Sequence, residues 1–157
     1  MSGDVNPARV VADADVLAAD LLVGGAARDA LDHVRRHSWV ELVASDPLLD
    51  DAAAVITALS DESLAAAWRT VIDRERIAVS HPPGDHPALA SAYRAGAAHL
   101  LSFDPELSSV RTNLSVQPYT ALSVRQPDAF GRLFDPVSLY ESLHEDSYPG
   151  PDRTLSW

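Results

Sequence analysis

The sequence predicts an α/β protein, a single three-layer α/β/α domain around a central, mostly parallel sheet of four to five strands. Three observations carry this prediction. Short apolar runs alternate along the chain with stretches of helical spacing, the pattern of strands joined by helical crossovers. The runs are apolar at consecutive rather than alternate positions, as in strands covered on both faces. The chain has 157 residues with 46% hydrophobic content, enough to close about one core.

The elements follow in order. Residues 1–8 form a polar lead-in, and a domain over 9–145 follows it. "RVVADADV" (9–16) is a buried strand that runs into two aspartates. "LAADLLVGGAARDALDHVRRH" has helical spacing with a break at Gly24–Gly25. "WVELVAS" (39–45) is a second strand. "SDPLLDDAAAVITAL" is a helix capped by Ser45 with Pro47 in its first turn. "SDESLAAAWRTVIDRER" is a helix placing Leu64, Trp68, Val71 and Ile72 on one face. "IAVS" reads as a short strand or turn, and "HPPGD" as a loop. "HPALASAYRAGAA" is a helix, "HLLSFD" (99–104) a buried strand and "PELSSV" a turn or short helix. "VQPYTALSV" (116–124) is the last strand, and "PDAFGRLF" and "DPVSLYESLHE" are short helices opening at proline. Residues 146–157 are a tail containing Pro and Gly, loosely packed or laid over the surface.

Composition narrows the classes. No apolar stretch reaches the roughly 18 residues of a membrane span, and the start lacks the basic and apolar regions of a secretory signal. The absence of cysteine excludes disulfides and thiolate metal sites, and the expectation is a soluble, cytoplasmic protein. Formal net charge is −11, and all 12 basic residues are arginine. This acidic, lysine-free balance resembles that of haloarchaeal proteins, whose charge keeps them soluble in concentrated salt. At about 1 M salt the Debye length is only ~3 Å, so net charge alone does not exclude a nucleic-acid partner.

The candidate chemistry lies in aspartates at strand ends. In parallel α/β sheets ligands bind outside the carboxyl ends of the strands. Asp13 ends the first strand and Asp104 the strand "HLLSFD"; Asp85 opens the helix leading into the latter, and Asp51 lies about a turn into the helix after "WVELVAS". Two carboxylates ~4 Å apart repel by roughly 4 kcal/mol at an effective dielectric near 20. Such a group calls for protonation or for a cation, and hard oxygen donors point to Mg²⁺ or Mn²⁺. An ion of that kind serves phosphodiester or phosphate-ester hydrolysis.

Taken in order, "VVADADVLAADLL", "SDPLLDDAAAV" and "GDHPALASAYRAGAAHLLSFDPEL" resemble a PIN domain over about residues 9–134. The matching positions are Asp13 with Asp15, Ser45 with Asp51 six residues later, Asp85 opening Asp-x-x-x-Leu-Ala-x-Ala, and Ser102 with Asp104 in Ser-x-Asp. The resemblance implies a metal-dependent ribonuclease using Mg²⁺ or Mn²⁺. Asp13, Asp51, Asp85 and Asp104 would be catalytic, with Asp13, Asp85 and Asp104 as metal ligands. Asp15, Ser45 and Ser102 would support them, and Arg94 would meet the substrate. It further implies RNA as substrate, an antitoxin-like protein partner in a toxin–antitoxin pair, and a homodimer paired through helices. Two positions depart from the family: Asp51 stands where glutamate is common, and the bulky Phe103 where a small residue is common. The alternative is a weak or inactive PIN-like binding module.

Other features have plainer readings. The Asp-x-Asp of "DAD" also suits haloacid-dehalogenase-type phosphatases, and an acidic pocket suits response-regulator receivers. Both rely on a lysine, which this chain lacks. His33 and His37, spaced i, i+4, either bind zinc or line a solvated face; His86 beside Asp85 is an acid–base candidate. Arg69, Arg74 and Arg76 serve as phosphate contacts or as partners of nearby acids. Trp39, Trp68 and Phe130 read as core, and Trp157 has no reading.

Overall fold

A computed structural model describes residues 5–107, 114–119 and 121–154. Five strands, β1 (Asn6–Ala12), β2 (Glu41–Ala44), β3 (Arg76–Ala78), β4 (Ala97–Leu101) and β5 (Ser123–Arg125), form one sheet in the order β3-β2-β1-β4-β5. Every pairing is parallel. The helices are α1 (Ala14–Leu22), α2 (Gly25–Arg35), α3 (Asp46–Leu59), α4 (Glu62–Glu75), α5 (Pro87–Ala95), α6 (Pro127–Leu133) and α7 (Pro136–Leu143). The expected three-layer α/β/α class is the one observed. Among the described residues no helix is long and apolar enough to cross a membrane.

β1 sits in the middle, and Val10, Val11 and Ala12 are buried on both faces. This explains their consecutive apolar character. β1 begins at Asn6, inside the expected polar lead-in, because the Asn6 amide donates to Gly96 O at 2.7 Å. The ladder to β4 is irregular between Asn6 and Val10, where Pro7 has no amide to give. The glycine break falls as expected: Gly24 and Gly25 both have positive φ and separate α1 from α2. The start of β4 moves two residues earlier than the apolar pattern suggests. Gly96 ends α5 in the left-handed conformation, so Ala97 is already strand.

The last strand is shorter than expected. Residues 116–119 stay outside the sheet, where the Tyr119 hydroxyl donates to Ala92 O and Ala97 O instead. Pro118 could not have donated to a ladder. The tail is tied down as far as it is described. Asp152 accepts from the Ser38 amide at 2.7 Å and from the Ser38 hydroxyl at 2.5 Å, and its own amide donates to Arg36 O. Residues 36–40 precede β2, so the tail lies at the amino edge of the sheet, opposite the strands' carboxyl ends. Trp157 lies outside the described residues, as do residues 108–110 of "PELSSV".

A buried ion pair locks α1 onto α2. Asp20, 1% exposed, is bonded by Arg35, which also binds Asp32 at 2.8 Å. Arg28 reaches back over the glycine break to Asp20 O at 2.7 Å. Burial raises the Asp20 carboxyl from 3.8 to about 6, against the pull of Arg35 and Arg28. Folding therefore favours the protonated acid. Its contribution to stability is full below about pH 4 and is lost as the pH rises through about 6. At ~1.4 kcal/mol per unit this amounts to about 3 kcal/mol. Denaturant unfolding of Asp20→Asn against the natural chain should show the variant gaining relative stability by that order between pH 4 and 7. A pH-independent difference would contradict the assignment.

Candidate functional site

All five strands are parallel, so their carboxyl ends share one edge. The chain steps from β1 to β2 to β3 on one side, then crosses back to place β4 and β5 on the other. The order reverses between β1 and β4, the crevice where open α/β sheets bind ligands. Four of the sequence-predicted residues meet there.

Asp13 follows the last residue of β1 and caps α1, its Oδ1 accepting from the Ala14 amide at 2.8 Å. The Asp13 amide extends the ladder to Leu101 O at 2.8 Å. Ser102 follows β4 and is 2% exposed. Its hydroxyl donates to Asp13 Oδ2 at 2.9 Å, and its Oγ accepts from the Asp104 amide at 3.0 Å. Asp104 Oδ1 in turn accepts from the Glu106 amide. Asp15, in the first turn of α1, holds the Phe103 amide with Oδ2 at 3.1 Å, and its Oδ1 is buried without a hydrogen-bond partner among the described residues. Burial raises the Asp15 carboxyl first. The negative charge of Asp13 raises it next and that of Asp104 last, while the Phe103 and Val16 amides pull it down. Asp15 thus senses the charges of both Asp13 and Asp104 across the crevice.

The other predicted residues are placed differently. Asp85, 8% exposed, ends the loop after β3, and both of its oxygens accept from the Ser115 amide, at 3.1 and 3.0 Å. Asp51 is exposed in the second turn of α3. Ser45 caps α3 by accepting from the Leu48 amide. It belongs to a separate cluster: its amide donates to Ser91 Oγ at 3.2 Å, and its Oγ is hydrogen-bonded to His81 Nε2 at 2.8 Å. Arg94 is exposed near the end of α5, roughly 10 Å along the helix from Pro87. There it lines an open groove with Ser80, Ser115, Gln117 and Tyr119. Among the described residues, no group of three or more His, Asp or Glu stands arranged to hold a metal ion.

The plainer readings settle in the same way. His37 is buried, with Nδ1 on His33 O and Nε2 on the Tyr148 hydroxyl, both at 2.6 Å. One nitrogen is thus engaged by α2 and the other by the tail. Arg69 and Arg76 pair with Asp46, Asp50 and Asp73. Trp68 and Phe130 are in the core and Trp39 packs against it. His81 meets Ser45, and Ser115 meets Asp85, across long stretches of chain. Their contacts join residues 36 and 30 positions apart, and no local spacing signals such pairs.

The chain belongs to DUF7384, a family of unknown function, whose pattern matches residues 4–155. No curated protein and no solved structure matches it.

The order of causes at Asp15 makes a measurable prediction. In a carboxyl-carbon NMR titration Asp15 should titrate above the usual aspartate range. Asp13→Asn should lower it more than Asp104→Asn does. Identical titrations in all three proteins would remove the electrostatic coupling on which the crevice rests.

Proposed function

We propose that the chain is a metal-dependent ribonuclease of PIN type, hydrolysing RNA phosphodiesters with Mg²⁺ or Mn²⁺ at the crevice between β1 and β4. The observation that carries this reading is the meeting of Asp13, Asp15 and Asp104 around the buried Ser102 hydroxyl. The donor set suits the ion, being hard carboxylate oxygen. The unpartnered buried Oδ1 of Asp15 is the kind of atom a bound cation or a proton satisfies. Asp13 and Asp104 would hold the ion, and Asp85 would join them on releasing the Ser115 amide. When bound, such an ion makes water nucleophilic and neutralises charge on the phosphodiester.

The chain's own residues do the rest. Ser102 fixes Asp13 and, through the Asp104 amide, the turn that carries Asp104. Its bond to Asp13 Oδ2 leaves further lone pairs on that carboxylate, as the outer partners of metal ligands do. Asp15, with its raised affinity for protons, holds or passes a proton at Oδ1. Arg94, some way along α5, contacts a phosphate distant from the cut.

A second reading has its own observation. Both Asp85 oxygens are engaged by Ser115 and the acids are not drawn into a three-group cage, as expected of a PIN-like binding module with weak or no activity.

Cleavage of an RNA with paired and single-stranded regions, in molar KCl with Mg²⁺ or Mn²⁺, separates the two. Asp13→Asn and Asp104→Asn should each lose on the order of 100-fold or more, since even outer partners of metal ligands are worth 10–100-fold. Asp51→Asn, exposed and apart, should lose less than about tenfold. Equal cleavage by the natural chain and Asp13→Asn, or none by either with both ions, sinks the ribonuclease reading.

A further inference from the structure

Phe103 stands between Ser102 and Asp104 at the crevice, and it is 39% exposed. Other aromatic rings among the described residues are buried or packed against one another, as in the pairs Phe130–Phe134, Tyr93–Tyr119 and Trp39–Tyr140. Among the described residues Phe103 has no ring partner and takes no part in the core. Its backbone is nevertheless held on both sides. Its own amide is bonded by Asp15, the Ser102 amide donates to Arg125 O at 3.0 Å, and the Asp104 amide is bonded by Ser102 Oγ. A large apolar side chain is thus displayed from a fixed turn, beside the acids that define the site.

We propose that Phe103 is a stacking platform for one unpaired base of single-stranded RNA, next to the phosphodiester at Asp13 and Asp104. The assignment rests on the ribonuclease reading for what the neighbouring acids do, but its own basis is the ring. A protein partner covering Phe103 with apolar surface would also strip water from the adjacent, exposed Asp104 carboxylate, which is costly for a charged group. A base lays a flat face on the ring and leaves the carboxylates accessible. Stacking also suits this composition. Affinity from arginine–phosphate contacts falls steeply with salt, and a lysine-free chain of net charge −11 has little of it to spend. Base–aromatic stacking does not depend on charge and accepts any base, giving a preference for unpaired strand rather than for sequence. A duplex keeps its base faces covered and has none to offer. On this view the bulky residue in the Ser-x-Asp turn selects the substrate instead of obstructing it.

The test uses single-stranded RNA dodecamers carrying one 2-aminopurine, whose fluorescence is quenched on stacking. The natural chain, Phe103→Tyr and Phe103→Leu are compared in molar KCl with Ca²⁺, which occupies hard oxygen sites. Cleavage of the same RNA is followed separately with Mg²⁺ and Mn²⁺. The natural chain and Phe103→Tyr should quench the probe. Phe103→Leu, which keeps the backbone contacts and apolar bulk, should lose the quench and bind about 5- to 150-fold more weakly, the range for one stacked base. A duplex of the same sequence should bind no better to the natural chain than to Phe103→Leu. Quench and affinity unchanged in Phe103→Leu, or no quench by the natural chain, overturn the platform even if cleavage is seen. Ring-dependent quench without cleavage by the natural chain supports the platform while overturning the ribonuclease reading.

Discussion

A buried hydroxyl, that of Ser102, ties the ends of the two central strands together at the crevice. It donates to Asp13, at the end of β1, and accepts from the amide of Asp104, beyond the end of β4. Ser102 is almost wholly buried, so leaving its hydroxyl unsatisfied costs about 1–3 kcal/mol. The turn 102–104 can therefore hardly shift without breaking the bond to Asp13. Through that turn the same bond sets where Phe103 is displayed, and Asp15 then closes the arrangement from α1. The crevice is held in shape by neutral donors although its functional groups are acids.

The two edges of the sheet have been given different work. At the amino edge the chain spends its polar groups on itself. The loop before β2 is filled by Asp152 and Arg153, and both nitrogens of His37 are consumed. At the carboxyl edge the acids keep open valences, most plainly Asp15 Oδ1. The tail, as far as it is described, is thereby kept from the crevice by topology. Attachment next to β2's first residue leaves the length of the strand between them.

Much of this was legible in the sequence because it is local. Val10 to Ala12 announce a strand covered on both faces, Gly24–Gly25 a break, and Ser45 a cap, and each is observed. The parallel sheet then carries Asp13 and Asp104 to one edge, as the spacing of "VVADAD" and "HLLSFD" implies. What the sequence left open depends on contacts made across space. Asp85 is turned toward the Ser115 amide by a segment whose path no periodicity encodes. Residues 116–119 have strand-like composition, yet they lie outside the sheet, anchored by the Tyr119 hydroxyl on Ala92 O and Ala97 O. The acidic composition hides a further distinction, between acids that are paired and acids that are not.

That distinction bears on the chemistry. The arginines are spent elsewhere: Arg69 and Arg76 on Asp46, Asp50 and Asp73, Arg35 on Asp20 and Asp32, and Arg9 on Glu41. Among the described residues none of the ion pairs involves Asp13, Asp15, Asp85 or Asp104. A chain with 23 acids and 12 arginines cannot neutralise everything, but where it leaves charge uncompensated is informative. Exposed acids on helix surfaces are screened by salt and cost little. Acids in a crevice are screened less, and the raised Asp15 carboxyl reflects its burial first and the repulsion of Asp13 and Asp104 after it. Supplying an arginine there would have relieved that repulsion and closed the site to any other cation. On the proposed reading, the unrelieved charge would give a divalent ion a reason to bind, and the adjacent ring would give a base a reason to stay.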